Sequence, residues 1–256
     1  MILTGKTAVI TGGSEGIGFG IAGAFAGEGA DVLLVGRNSG KLNEAREKLS
    51  HFSVRTECVS FDLTETDSIA DLSDEIQRRF ADIDILVNNA GIAGFTPFSD
   101  VGMQELDLHI NLNIKAPYLL TQGLLPTLRK NSGCVINISS YLSRRMLPGR
   151  PSTAYSLTKG AIESFTRSLA FELGKYNIRV NAIAPGTVDT PLVRSNIGKL
   201  NEEERRRLQE MIGTIYPLGR IGTPGDIGGM AVFLASDRAG WVTGAVFNID
   251  GGLTTN

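Results

Sequence analysis

A chain of 256 residues in which 25 Lys and Arg nearly balance 27 Asp and Glu carries no field strong enough to gather nucleic acid or an anionic membrane surface by charge alone. No run of about 20 apolar residues marks a membrane span, and the opening Met1-Ile2-Leu3-Thr4-Gly5-Lys6 lacks the basic stretch and unbroken apolar stretch of a signal peptide. Cys58 and Cys134 make neither a disulfide framework nor a zinc motif, and His51 and His109 have no ligand-spaced partners to suggest a metal, so the chain reads as a cytoplasmic protein acting on a small molecule.

Apolar, β-rich runs predict strands at 7–11, 31–35, 56–61, 83–87, 134–138, 179–183 and 245–249. Stretches of helical period separate them. Continuous apolar strands, without apolar/polar alternation, are expected where helices cover both faces of a parallel sheet. The expected fold is therefore α/β, a single doubly wound, Rossmann-type parallel sheet with helices on both faces. No linker or repeat divides the chain, so residues 1–256 are expected to form one dinucleotide-binding and catalytic domain.

After the first strand comes Thr11-Gly12-Gly13-Ser14-Glu15-Gly16-Ile17-Gly18, leading into a helix through Ile21, Ala22, Ala24 and Phe25. Glycines permit positive φ and close backbone approach, so a pyrophosphate can rest on the free N–H groups of the helix N-terminus. The three-residue gap between Gly12 and Gly16 departs from GxGxxG. About twenty residues on, where an NAD site places an acid for the ribose 2′-hydroxyl, the second strand ends in Val35-Gly36-Arg37-Asn38. An Arg in that place suits a 2′-phosphate and argues for NADP. Glu15 argues the other way, because its carboxylate would repel that phosphate, and keeps NAD as the alternative.

The strand at 134–138 delivers Ser139-Ser140 to its end, where open α/β sheets bind ligands. Tyr155-Ser156-Leu157-Thr158-Lys159 opens a long helical segment, and positions four apart share one face. Leu157, Ala161, Phe165 and Leu169 are expected to be buried on the helix's other faces. A lysine about 5 Å from a phenol, at an effective dielectric of about 20, favours the phenolate by about 3 kcal/mol, on the order of two pKa units. Lys159 is thus expected to bring Tyr155 toward useful acid/base behaviour.

Farther on, Asn201 is placed to cap a helix with Glu202/Arg206 and Glu203/Arg207 pairs and an apolar face of Leu208, Met211, Ile212 and Ile215. The region at about 191–216 reads either as a solvated helix or as a lid over a substrate.

These motifs, in this order and over nearly the whole chain, resemble the short-chain dehydrogenase/reductase family in its single-domain form, in particular 3-oxoacyl-carrier-protein reductases and related ketoreductases. The matching residues are TGxxxGIG at 11–18, Asp62-Leu63, Asn88-Asn89-Ala90-Gly91, Asn113, Ser140, Tyr155, Lys159, Pro185-Gly186 and Asp250-Gly251-Gly252. The resemblance implies that Tyr155 is the general acid/base and that Ser140 hydrogen-bonds the substrate oxygen. It implies that Lys159 tunes Tyr155 and binds the nicotinamide ribose, and that Asn113 holds a relay water. The implied cofactor set runs through Gly12, Ser14, Gly16, Ile17 and Gly18, then Arg37. It continues with Asp62 and Leu63 at the adenine, Asn89 with Ala90 and Gly91 beside the adenosine ribose, and Pro185, Gly186, Val188 and Thr190 toward the nicotinamide amide. The implied reaction is hydride transfer between NADP(H) and a carbonyl or secondary alcohol, in a homotetramer or homodimer.

Asn111 competes with Asn113, although the run from Ile114 to Tyr118 favours Asn113. Ser139 competes with Ser140, because the stretch to Tyr155 is about two residues longer than the family's usual spacing. That stretch carries Arg144, Arg145 and Arg150, which either receive an anionic substrate group or lie at a solvated or subunit surface. A nucleotide-sensing or scaffold protein without catalysis is the reading from another functional class.

Overall fold

The computed structural model describes residues 1–255. Seven strands, β1 (Thr7–Thr11), β2 (Asp31–Gly36), β3 (Thr56–Ser60), β4 (Ile85–Asn88), β5 (Cys134–Ile138), β6 (Arg179–Pro185) and β7 (Val246–Ile249), form one parallel sheet in the order β3-β2-β1-β4-β5-β6-β7. Successive strand residues point to opposite faces. Ala8, Ile10 and Leu34 therefore join one core with Phe25 of α1 (Gly16–Gly27), Leu42 of α2 (Ser39–Leu49) and Ile227 of α10 (Pro224–Ala235). Val9, Leu33 and Val135 join the opposite core with Leu72 of α3 (Ile69–Arg79), Leu120 of α5 (Ala116–Gly123) and Ala170 of α7 (Thr153–Leu173). Burial on both faces is why β1, β4 and β5 are buried at every position.

All seven strand predictions coincide with the observed strands or differ by no more than two residues at either end, and the 83–87 run begins its pairing at Ile85. The Ile83 amide instead donates to the Thr127 hydroxyl at 2.8 Å. The strand order turns back beside β1, between β2 and β4, and in open α/β sheets such a reversal puts the ligand crevice outside the carboxyl ends of the strands there.

Two segments depart from simple helices. Between α4 (Met103–Ile110) and α5, residues Asn111–Lys115 form a π-helical turn, a distortion that recurs at functional sites. The 191–216 region divides into α8 (Pro191–Gly198) and α9 (Glu202–Ile215), neither with a buried residue. Asn201 caps α9 in a reciprocal box with Glu204. Glu203 pairs with Arg207 as expected, but Arg206 reaches forward to Glu210 at 3.1 Å, not back to Glu202. Ile212 and Ile215 pack on Tyr141, Leu142, Tyr216 and Leu253, beside Tyr155.

The α7 expectation needs correction. Leu157 is exposed, while Ala161, Phe165 and Leu169 are only half-buried. The face that meets the sheet is Ile162, Thr166, Ala170 and Leu173, because α7 lies flat on one side of the sheet and leaves its opposite stripe uncovered.

Candidate active site

The turn between β1 and α1 needs its glycines. Gly12 and Gly16 have φ of 64° and 60°, a region L side chains rarely adopt, and a Cβ on Gly18 would fall 2.2 Å from the Gly12 carbonyl oxygen. Glu15 caps α1 without a side-chain hydrogen bond, so the first amides of the helix have no side-chain acceptor from their own cap and face the crevice end of the sheet. Thr190, cap of α8, hangs over this turn: a Cβ on Gly16 would meet its methyl at 3.2 Å. The tight turn, uncapped amides and overhanging threonine fit a bound dinucleotide pyrophosphate.

The β4 end is stitched to this turn. The Thr11 hydroxyl accepts the amides of Asn89 and Ala90 at 2.9 and 3.0 Å, and the Asn89 side-chain amide donates to the carbonyls of Thr11 and Gly12 at 2.9 and 3.2 Å. Asn89 thus braces the glycine turn. Asp62 accepts from the amide and hydroxyl of Thr64, and its other oxygen lies 3.8 Å from the largely exposed Arg37. Leu63 is buried. Glu15 does not stand alone: Lys41 of α2 pairs with it at 2.8 Å, which offsets the repulsion its carboxylate would exert on a 2′-phosphate. Gly186 is equally constrained, since a Cβ there would lie 2.9 Å from the Asp250 Cα, and Val188 is buried in a bridge to Gly222.

Beyond the end of β5 come Ser139 and Ser140. The Ser139 hydroxyl is spent on the Lys159 carbonyl and Glu163, both at 3.3 Å. Ser140 accepts the Leu142 amide at 3.2 Å and bears on the Tyr155 phenol, favouring its ionised form. Of the two serines, Ser140 faces Tyr155.

Lys159, 5 % exposed, donates to the Ile138 carbonyl at 2.7 Å and lies 5.7 Å from the Tyr155 ring centroid. Desolvation lowers its pKa to about 8. The same cause, opposed by Ser140 and assisted by Tyr141, pushes Tyr155 up to about 12. The expectation of a Tyr155 pulled toward neutrality by Lys159 is therefore reversed: losing water costs the phenolate more than the site returns. Tyr155 stands as a phenol at neutral pH, the form that donates a proton.

Asn113 sits in the π-helical turn, buried. Its side-chain amide donates to the Ile92 carbonyl and the Thr158 hydroxyl at 3.0 Å each, and its Oδ1 accepts the Ile92 amide at 3.0 Å. With both N–H donors taken, the side chain locks the loop after β4 onto α7. A Cβ on Gly91 would fall 3.1 Å from Asn113 Oδ1 and 3.5 Å from Lys159 Nζ, so Gly91 lets the chain pass between them.

The arginine loop resolves unevenly. Arg144 pairs with buried Glu163 at 2.8 Å, and so is not free for an anionic substrate. Arg150 donates to the Tyr141 hydroxyl at 3.1 Å and lies over the Phe95 ring. Sequence reasoning missed Tyr141, Tyr216, Glu163 and His109. Tyr216 accepts the Thr187 amide at 3.1 Å. His109 donates Nδ1–H to the Glu105 carbonyl at 2.8 Å, and its buried Nε2 has no partner among the described residues. Only Glu163 carried a sequence signal, as a charge on the face of α7 that holds Tyr155 and Lys159.

A cavity of about 150 Å³ lies at the opposite end of the strands, among Lys6, Asp84, Arg179 and Asp237. None of the predicted residues lines it, and its cations are committed, Lys6 to Asp84 and Arg179 to the carbonyls of Leu234 and Ser236.

A family model described as enoyl-(acyl carrier protein) reductase matches residues 12–254. The chain is 38 % identical over 253 residues to oxidoreductase UcpA of Escherichia coli, covering 98 % of this chain and 95 % of that protein. It is also 38 % identical over 256 residues to the 3-oxoacyl-[acyl-carrier-protein] reductase FabG of Chlamydia trachomatis, covering 98 % of each. Among solved structures, L-sorbose reductase from Gluconobacter frateurii, complexed with NADPH and L-sorbose, superposes with a TM-score of 0.93 at 33 % identity and full coverage of both chains.

Proposed function

Because the chain belongs to the short-chain dehydrogenase/reductase family of NAD(P)-dependent oxidoreductases, we propose that it transfers a hydride between NADP(H) and a ketone or secondary alcohol, with Tyr155 exchanging the proton. The observation that carries this reading is the meeting of Ser140, Tyr155 and Lys159 from two elements at the carboxyl end of the sheet. The ketone is favoured over other acceptors by the relatives whose names state ketone substrates, a 3-oxoacyl thioester and L-sorbose.

In this reading Gly12, Ser14, Gly16, Ile17 and Gly18 hold the pyrophosphate and Arg37 the 2′-phosphate. Asp62, Leu63, Asn89, Ala90 and Gly91 line the adenosine, and Pro185, Gly186, Val188 and Thr190 lead toward the nicotinamide. When bound, the nicotinamide supplies or accepts the hydride. Ser140 orients the substrate oxygen by hydrogen bond. Tyr155, held as a phenol, donates its proton to that oxygen in the reducing direction. Lys159 holds positive charge beside the phenol as it ionises, and Asn113 keeps the loop and α7 in register, leaving a relay water to the backbone of the π-helical turn.

NADP is preferred in this reading because Lys41 occupies Glu15 while Arg37 stands exposed. The helices at 191–215 act as a substrate lid: their largely exposed bodies meet the site through the Ile212 and Ile215 contacts beside Tyr155. In this reading the chain is a cytoplasmic homo-oligomer, and Phe171 of α7 and Trp241, each at least 90 % exposed, are apolar surface that a second copy would cover. The direct test is NADPH-dependent reduction of a ketone panel by the purified protein. No turnover, with NADPH still bound, would favour the non-catalytic nucleotide-binding reading.

A further inference from the structure

Glu163 follows Lys159 by one turn and Tyr155 by two on the same side of α7, yet it belongs to no step of the proposed proton transfer. It is 4 % exposed. Its partners converge from separate elements. The Ser139 hydroxyl, at the end of β5, lies 3.3 Å from Oε1, sharing its single proton with the Lys159 carbonyl. The Ser143 hydroxyl, in the short turn Tyr141–Ser143, meets the same oxygen and shares its single proton with the Ser140 carbonyl at 2.7 Å. Arg144 closes on Oε2 through Nε at 2.9 Å and a second guanidinium nitrogen at 2.8 Å. Arg167 of α7 approaches at 3.9 Å.

Two of these donors, Ser139 and Ser143, bracket Ser140. We propose that Glu163 is the positioning residue for Ser140, clamping both ends of its segment onto the helix that carries Tyr155. A buried carboxylate loses several kcal/mol of hydration, and an apolar side chain of similar volume avoids that cost. What a carboxylate offers instead is several directed lone pairs, and here they are aimed at the residues on either side of Ser140. The Ser140 hydroxyl is itself turned to the Leu142 amide and Tyr155. Its place is therefore set by its neighbours' anchors, and the same rigid helix governs both the phenol and the serine that meet at the substrate oxygen.

The inference rests on Ser140 and Tyr155 acting together on that oxygen, and the test separates the two ideas. Glu163→Gln, Ser140→Ala and the double variant are assayed with NADPH and two ketone probes, L-sorbose and an acetoacetyl thioester. Glu163→Gln is expected to lower kcat roughly tenfold with KM for NADPH unchanged, and to lower it less than about twofold further in the Ser140→Ala background, the signature of action through Ser140. Hydrogen exchange of the unliganded protein is expected to rise over residues 139–144 while α7 stays protected.

Full kcat in Glu163→Gln, or an undiminished loss on top of Ser140→Ala, overturns the role. An indifferent Ser140→Ala overturns instead the reading beneath it, and unchanged exchange over 139–144 then counts against the clamp as well. If Glu163→Gln does not fold, Ser143→Ala and Arg144→Met release the same clamp from the loop side. Each is expected to cost roughly two- to fivefold in kcat with the same failure to add to Ser140→Ala, and full activity in both overturns the proposal.

Discussion

Lys159 donates its ammonium to the Ile138 carbonyl at 2.7 Å, so the helix that carries Tyr155 is pinned to the last residue of β5 by a buried charge. That charge has a pH signature. Burial lowers the Lys159 pKa from 10.5 to about 8, so between these values the unfolded chain binds a proton the folded chain has released, and stability rises with pH across that window. Below about pH 8 the folded protein carries the full penalty, on the order of 3 kcal/mol. Tyr155 acts in the opposite sense: raised from 10 to about 12, it contributes stability that is present below pH 10 and lost as pH passes 12. Urea unfolding of the nucleotide-free protein between pH 7 and 10 should show the rise, and Lys159→Met should flatten it. An identical slope in both proteins would refute the assignment.

Removing the phenolic hydroxyl removes the proton donor and little else. Tyr155→Phe is expected to lower kcat by roughly 10³-fold or more, with NADPH affinity within a few-fold of the parent, measured by nucleotide fluorescence titration. Appreciable residual turnover would require another proton donor.

Gly18 tests the nucleotide turn. A methyl at this position would lie 2.2 Å from the Gly12 carbonyl oxygen and 2.5 Å from the Asn89 amide, neither of which is a flexible side-chain end free to withdraw. Gly18→Ala is expected to cost about 1–3 kcal/mol of stability and to abolish dinucleotide binding, read by calorimetry. Gly160→Ala, where none of the described residues beyond its own helix would lie within 4 Å of the new methyl, is the matched control that should leave binding intact.

Cofactor choice turns on the Arg37 and Lys41 side chains. Arg37→Ala is expected to weaken NADPH roughly tenfold while leaving NADH nearly unchanged, because only NADPH offers the 2′-phosphate for a charge-assisted bond. Lys41→Ala should move preference the same way by releasing the Glu15 carboxylate it now pairs with. Titrations of both nucleotides at one ionic strength decide the matter; tighter NADH binding by the parent protein would reverse the NADP assignment.

Much of this architecture was legible in the residues themselves. The strands Thr7–Thr11 and Cys134–Ile138 hold unbroken apolar stretches, Ala8–Ile10 and Cys134–Ile136, a pattern that a sheet covered on both faces rewards. Glycines at 12, 16 and 18 stand where a side chain would strike backbone or demand a left-handed φ. Leu157 misled because an apolar residue on an amphipathic helix looks the same whether it faces the core or an uncovered surface. Arg144 was left with two readings for a related reason: its partner Glu163 lies nineteen residues away, across a loop whose path local pattern does not encode.

Order along the chain, periodicity and turn chemistry thus determined the sheet, the glycine turn and the set of side chains brought to its carboxyl edge, since each depends on spacing within a few residues. Which serine faces Tyr155, that Glu15 is answered by Lys41, and that Asn113 spends its side chain on Ile92 and Thr158 were decided only by the tertiary structure. So was the direction of the pKa shifts, because desolvation is a property of everything packed around a group, and it is the leading cause of the shift at both Tyr155 and Lys159.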